Sequence, residues 1–272
     1  MVYRGCDIGS AKPSKDILKK YPHHMIDVVT LDTIFTVADF YSSSHKLIKK
    51  IHLKNKVPVF VGGTMMYFKS LYDGIHDLPK RNEEYRNELD KIKNNNKSNY
   101  LYKLLHDVDP MYAKSINKND DIRIIRGLEV YKLTGKCLSK ILSEETKNDL
   151  SSKYEVFQFG VSNERDKLHK NIEIRLKEIF EMGLVEEVKN LSIKHNISKS
   201  HPIHRSVNYK QVFSYINGEY EKEVAFERAL FATRQLAKRQ TTWLRSWKDF
   251  KRIKINDIKE IDNDFKKIIS LL

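Results

Sequence analysis

Apolar and polar positions recur along this chain with two periods, and each period predicts an element. From Thr36 to His52, the residues Val37, Phe40, Tyr41, Leu47, Ile48 and Ile51 fall near one face of a helix. Thr36 and Asp39 stand at its start with the spacing of a capping box. Val57-Pro-Val-Phe-Val61 is a short apolar run that stops at Gly62-Gly63-Thr64, which predicts a strand entering a tight turn, followed by a helix from Met65 to Leu71. Helix, strand, glycine turn and helix in that order predict an α/β unit built on a parallel sheet.

From about Lys80 to Lys140 charges and Asn dominate and strand signals vanish, so this stretch is expected to be a helical insertion, with amphipathic helices over Tyr100 to Leu105 and Ile122 to Leu133. Tyr154 to Val161 reads as a strand returning to the sheet. Leu168, Ile172, Leu176, Ile179 and Phe180 then mark a long helix that Gly183 interrupts or ends. The last helix spans about Lys222 to Trp247. At about 100° per residue, Arg234, Lys238 and Arg245 share one side of it, while Ala225, Ala232, Leu236 and Trp243 lie opposite.

Composition narrows the class. With 272 residues and 40% hydrophobic content the chain is too apolar for disorder and too polar for a membrane protein. Its 50 Lys and Arg against 36 Asp and Glu leave a formal charge of +14, which fits either a polyanionic partner or a Lys-rich surface. The cations concentrate between Arg234 and Arg252, where Asp249 is the lone acid. That density favours contact with a phosphate backbone over a merely solvated face. Cys6 and Cys137 lie far apart with no Cys or His at metal spacing, so neither a zinc site nor a disulfide framework is signalled, and a reducing cytoplasm is the expected compartment. No run has the roughly 18 to 20 apolar residues that cross a bilayer. A soluble, monomeric, cytoplasmic protein with no membrane partner is expected.

Residue chemistry by itself leaves the activity open. Thr64 sits where a strand turns into a helix, a place where free N–H groups attract anions, although a Gly-Gly turn is more often only a connection. Gly5-Cys-Asp-Ile-Gly9-Ser-Ala-Lys12 misses the Walker A spacing, and nucleophile-elbow, zinc-helix and dinucleotide-binding patterns are absent. His23 and His24 read as surface residues of a polar loop. Arg205 could clamp a phosphate or form a surface ion pair.

Five stretches, taken together, closely resemble the tRNA dimethylallyltransferase family, also called isopentenyl-tRNA transferases. They are VYRGCDIGSAKP from Val2, PHHMIDV from Pro22, VGGTMMYFKSL from Val61, DIRIIRGLEVYKLTGK from Asp121 and ATRQLAKRQTTWLRSW from Ala232. The resemblance implies a P-loop-NTPase-like α/β core over residues 1–79 and 143–272, with an all-helical insertion over 80–142 that grips the tRNA anticodon stem-loop. It implies transfer of a dimethylallyl group from dimethylallyl diphosphate to the exocyclic N6 amine of the adenine just 3′ of the anticodon, assisted by Mg2+. Thr64 and Arg205 would be catalytic, holding the diphosphate as it leaves. The tRNA would meet Arg86, Ile122, Arg123, Ile124, Ile125 and Arg126. It would also meet Ser206, Tyr209, Lys210 and Gln211, and on the last helix Lys238, Arg239, Gln240, Thr242, Trp243 and Arg245. No side chain is expected to ligate a metal.

The sequence departs from the family pattern in three places. The family's first strand, its glycine loop with Lys, its first helix and a second strand ending in Asp-Ser have no counterpart here. A truncated chain of low activity is therefore expected, in which Asp7 or Asp27 would have to stand in as base. Asn208 occupies a usual Gly position, and Asn tolerates a left-handed backbone better than other residues. Ile122 replaces a usual Gln. Two other readings share these residues: a tRNA-binding remnant without activity, and a nucleotide-directed isopentenyltransferase of the cytokinin type, for which the basic last helix would have little use.

Overall fold

Local signals set most of the helices. The computed structural model describes residues 1–144, 146, 150–198, 200–254, 262–263 and 266. Its helices begin with α1 (Lys15–Lys20), α2 (Val37–His52) and α3 (Met65–Tyr72). The predicted capping box starts α2: the Thr36 hydroxyl accepts the Asp39 N–H at 3.2 Å and Asp39 accepts the Thr36 N–H at 2.9 Å. Two units divide the chain within α3, one comprising residues 1–68 and 155–272 and the other residues 69–154.

In the second unit α4 (Glu83–Asn94), α5 (Tyr100–Val108), α6 (Pro110–Ser115), α7 (Asp121–Thr134) and α8 (Leu138–Ser143) follow one another. Leu89, Leu101, Leu105, Ala113, Ile124 and Leu128 form its core. Asp109, almost fully buried, caps two helices at once, accepting the Tyr112 N–H at 3.0 Å and the Ser139 N–H at 2.8 Å.

The first unit resumes with β1 (Phe159–Ser162), α9 (Arg165–Glu181) and α10 (Leu184–Lys194). A short 3-10 turn (Pro202–Arg205), α11 (Tyr209–Ile216), α12 (Lys222–Ser246) and β2 (Lys251–Lys254) follow among the described residues. Gly183, at φ +98°, separates α9 from α10 as its position in the sequence predicts. Leu31, Ile179, Leu184, Val185, Val188, Leu191, Ile203 and Val212 pack as the core beneath the N-terminal loop. Gly9 is required there, because a β-carbon would stand 2.7 Å from Leu184 Cδ1 and Tyr209 Cζ. Among the described residues no helix is long and apolar enough to cross a membrane.

The sheet is smaller than the sequence predicts. β1 pairs in parallel with β2, Phe159 opposite Lys251, and Tyr3 makes an isolated parallel bridge to Val29. The run Val57 to Val61 is not a strand: among the described residues nothing pairs with it, and Val57, Val59 and Val61 are 58%, 65% and 91% exposed. A strand is a property of a ladder, so an apolar run without a neighbour cannot become one. The predicted strand from Tyr154 shortens to its end for the same reason. Trp247 Nε1 donates to Gln158 Oε1 at 2.8 Å and the Lys251 N–H to the Gln158 carbonyl at 2.8 Å, so pairing begins only where the end of α12 meets this residue. The architecture is a helix-rich α/β fold with a small parallel sheet.

Candidate functional site

Thr64 is exposed at the N-terminal edge of α3, where its carbonyl accepts the Tyr67 N–H at 2.9 Å. The preceding turn is held from outside: Gln240 Nε2, on α12, donates to the Gly63 carbonyl at 3.1 Å. This bond joins the Gly-Gly-Thr turn to the cationic end of α12, where Lys238, Arg239 and Arg245 are exposed and Trp243 is half-buried. Thr242 turns its hydroxyl back to the Lys238 carbonyl at 3.0 Å. Arg234 leaves the basic side, since its Nη2 donates to Glu173 Oε2 of α9 at 2.9 Å.

A second set gathers at the start of α11. Arg205 ends the 3-10 turn and is exposed, as is Lys210 in the first turn of the helix. Ser206 donates its hydroxyl to the Pro202 carbonyl at 3.1 Å. Between these cations Asn208 takes φ +73°, the positive value expected where the family has Gly, and its N–H donates to Gln211 Oε1 at 2.9 Å. Tyr209 and Gln211 are buried, so their side chains shape the turn from beneath. Tyr209 donates its hydroxyl to Glu187 Oε1 at 2.8 Å. Burial, then Cys6 and Glu187 nearby, raise the phenol above its ordinary range, and burial pushes the Cys6 thiol up to about 11. Both stay protonated at neutral pH.

The N-terminal loop beside α11 carries its own charge cluster. Lys12 bridges Asp7 and Asp27. Burial opposes its charge, but the two carboxylates outweigh burial and raise the ammonium above its usual range. His23 and His24 are exposed, as expected of a polar loop.

In the helical unit the predicted residues divide by environment. Ile122 and Arg123 are exposed on α7, Arg123 pairing with Asp120 at 3.4 Å. Ile124 is buried in the core and Ile125 packs against it. Arg86 and Arg126 converge on Glu129, whose side chain is fully buried. Arg86 donates through Nε and Nη2, each at 2.7 Å, Arg126 through Nη1 at 2.5 Å, and the Asn82 N–H adds a fourth bond at 2.9 Å. Burial alone would raise the Glu129 carboxyl, but Arg86, the Asn82 N–H and Arg126 overcome it and bring the pKa to about 2. Glu129 and Glu187 are the organising residues that sequence reasoning missed. Their signal was an acid at an inward helical position, Glu187 between Leu184 and Leu191 and Glu129 one turn after Ile125.

Comparison with known proteins follows the same lines. A tRNA dimethylallyltransferase of Francisella tularensis subsp. novicida is 38% identical over 264 residues, 96% of this chain and 85% of the relative. The crystal structure of the full-length tRNA isopentenylpyrophosphate transferase from Bacillus halodurans superposes with a TM-score of 0.67 at 31% identity, covering 98% of this chain and 84% of that one. The tRNA isopentenylpyrophosphate transferase from Staphylococcus epidermidis gives 0.64 at 27% identity, over 98% of this chain and 88% of the other. A eukaryotic dimethylallyltransferase, captured acting on tRNA, gives 0.76 over 98% of this chain and 68% of its own, and at 23% identity it supports the fold alone. The family model described as IPP transferase matches residues 1–247. This chain belongs to the IPP transferase family.

Proposed function

We propose that the protein is a tRNA dimethylallyltransferase, which joins a dimethylallyl group from dimethylallyl diphosphate to the N6 amine of the adenine 3′-adjacent to the anticodon. The observation that carries this reading is the family match over residues 1–247. The exposed cations at the end of α12 and around the start of α11 support it, because an RNA backbone needs unneutralised Lys and Arg at a surface.

The chemistry is a substitution. The N6 lone pair forms a bond to the allylic carbon, the carbon–oxygen bond to diphosphate breaks with its electron pair on the leaving oxygen, and a proton passes from N6 to a base. The adenine must leave its stack to be reached. Thr64 and Arg205 are proposed to donate to the diphosphate as its charge grows. Asp7 and Asp27 both hold the Lys12 ammonium through Oδ1, so either would act as base only beside that cation. Magnesium enters only as the diphosphate's counterion. Among the described residues no three His, Cys, Asp or Glu side chains form a metal-sized group, and no step is routed through the ion.

The test is incubation with labelled dimethylallyl diphosphate and either an unmodified anticodon stem-loop or adenosine monophosphate, with filter binding of the stem-loop and of a random duplex in parallel. Preference for the stem-loop in binding and label is expected. Label on the mononucleotide instead would point to the cytokinin-type reading, and stem-loop binding no tighter than that of random duplex would remove the proposal.

A further inference from the structure

Glu187 is the inward-facing acid of α10, on the stripe that otherwise supplies Leu184, Val188 and Leu191 to the core. Glu187 is half-buried, and withdrawing even part of a carboxylate from water is unfavourable unless its oxygens are well bonded. They are: Oε2 accepts the N–H groups of Asp7 at 2.8 Å and Ile8 at 2.6 Å, while Oε1 accepts the Gly9 N–H at 3.1 Å and the Tyr209 hydroxyl at 2.8 Å. Successive backbone N–H groups turned to one point form a nest that selects an anion. Here the anion is the chain's own side chain. Asn208 adds a second tie by donating Nδ2 to the Gly9 carbonyl at 3.2 Å. The loop over residues 7–9 and the turn into α11 thus share one anchor, and Arg205 and Lys210 flank that turn.

We propose that Glu187 is a positioning residue, whose carboxylate fills the nest and thereby fixes the start of α11 so that Arg205 and Lys210 meet the substrate's phosphates. The inference rests on the tRNA reading above. Glu187 itself touches no substrate. It acts through Tyr209 and the loop, which distinguishes it from a core side chain that contributes only packing.

The full chain, Glu187→Ala, Glu187→Gln and the exposed neighbour control Glu186→Ala are compared by filter binding to an anticodon stem-loop. Amide exchange at Asp7, Ile8 and Gly9 is followed by NMR on the same samples. Each is measured in chloride and with formate replacing chloride at constant ionic strength. Glu187→Ala should bind about tenfold more weakly, the scale of one charge-assisted hydrogen bond, and should lose protection at the three amides. Formate entering the emptied nest should restore both. Glu187→Gln keeps the side-chain volume and so guards against simple unfolding; it should lose protection and not respond to formate, because its amide fills the space. Glu186→Ala should match the wild type. Unchanged binding and protection in Glu187→Ala, or losses that formate leaves untouched, would overturn the proposal. A wild type with no stem-loop preference would instead reject the tRNA reading, while the amide exchange and its response to formate still decide whether the carboxylate holds the loop.

Discussion

Glu129→Gln is the sharpest test of how the helical unit is held together. The substitution keeps shape but replaces one acceptor oxygen by an NH2 group facing N–H donors, and it removes the only negative charge that Arg86 and Arg126 share in the described contacts. Glu129 is fully buried and accepts bonds from Asn82, Arg86 and Arg126. Breaking one partner of a buried ion pair costs about 3 to 5 kcal/mol. The guanidiniums retain 17% and 25% exposure, so water recovers part of the loss and about 3 kcal/mol is expected at pH 7. The sign of the pH dependence follows from the carboxyl lying at about 2 in the fold against an ordinary value of 4.5. A depressed acid stabilises the fold fully above the unfolded value and loses that contribution as pH falls through the folded one. The gap between wild type and variant should therefore shrink below about pH 4.5, to less than about half by pH 3. Urea unfolding of the full chain, followed by circular dichroism at a series of pH values, measures it. A gap under about 0.5 kcal/mol at pH 7, the scatter of ordinary surface changes, or one that stays constant down to pH 3, would refute the reasoning.

Other outcomes follow from the first unit. Asn208→Gly should raise stability by about 1 kcal/mol in thermal melts, because it relieves a φ of +73° and removes a buried Oδ1 without a partner, while losing one bond to Gly9. Thr64→Ala and Arg205→Ala should each lower transfer about a hundredfold, measured in a relative with robust turnover, and change stem-loop binding much less; weaker binding with unaltered turnover would contradict the assigned roles. Lys238→Ala and Arg245→Ala should each reduce the salt dependence of stem-loop binding by about one phosphate contact in filter assays. Gln240→Ala should loosen the Gly62-Gly63-Thr64 turn, seen as faster amide exchange there, with little change in global stability.

The sequence alone determined what depends on neighbours within a turn or two. The Thr36–Asp39 capping box, the long α12 and the break at Gly183 are local, because caps, periodicity and a left-handed glycine act over a few residues. The motif stretches likewise declared the family. Tertiary structure decided the rest. Val57 to Val61 has the apolar, β-branched composition of a strand, interrupted by Pro58, and finds no neighbour among the described residues, whereas Lys251–Lys254, with no strand signal, becomes one because Gln158 and Phe159 stand beside it. Cations show the same division. Counting Lys and Arg revealed a basic protein, but which of them face solvent was fixed by partners distant in the chain. Glu129 holds Arg86 across 43 residues and Glu173 holds Arg234 across 61, while Lys238 and Arg245 stay exposed. A charge's availability is set by the nearest opposite charge in space, and chain separation does not encode that distance.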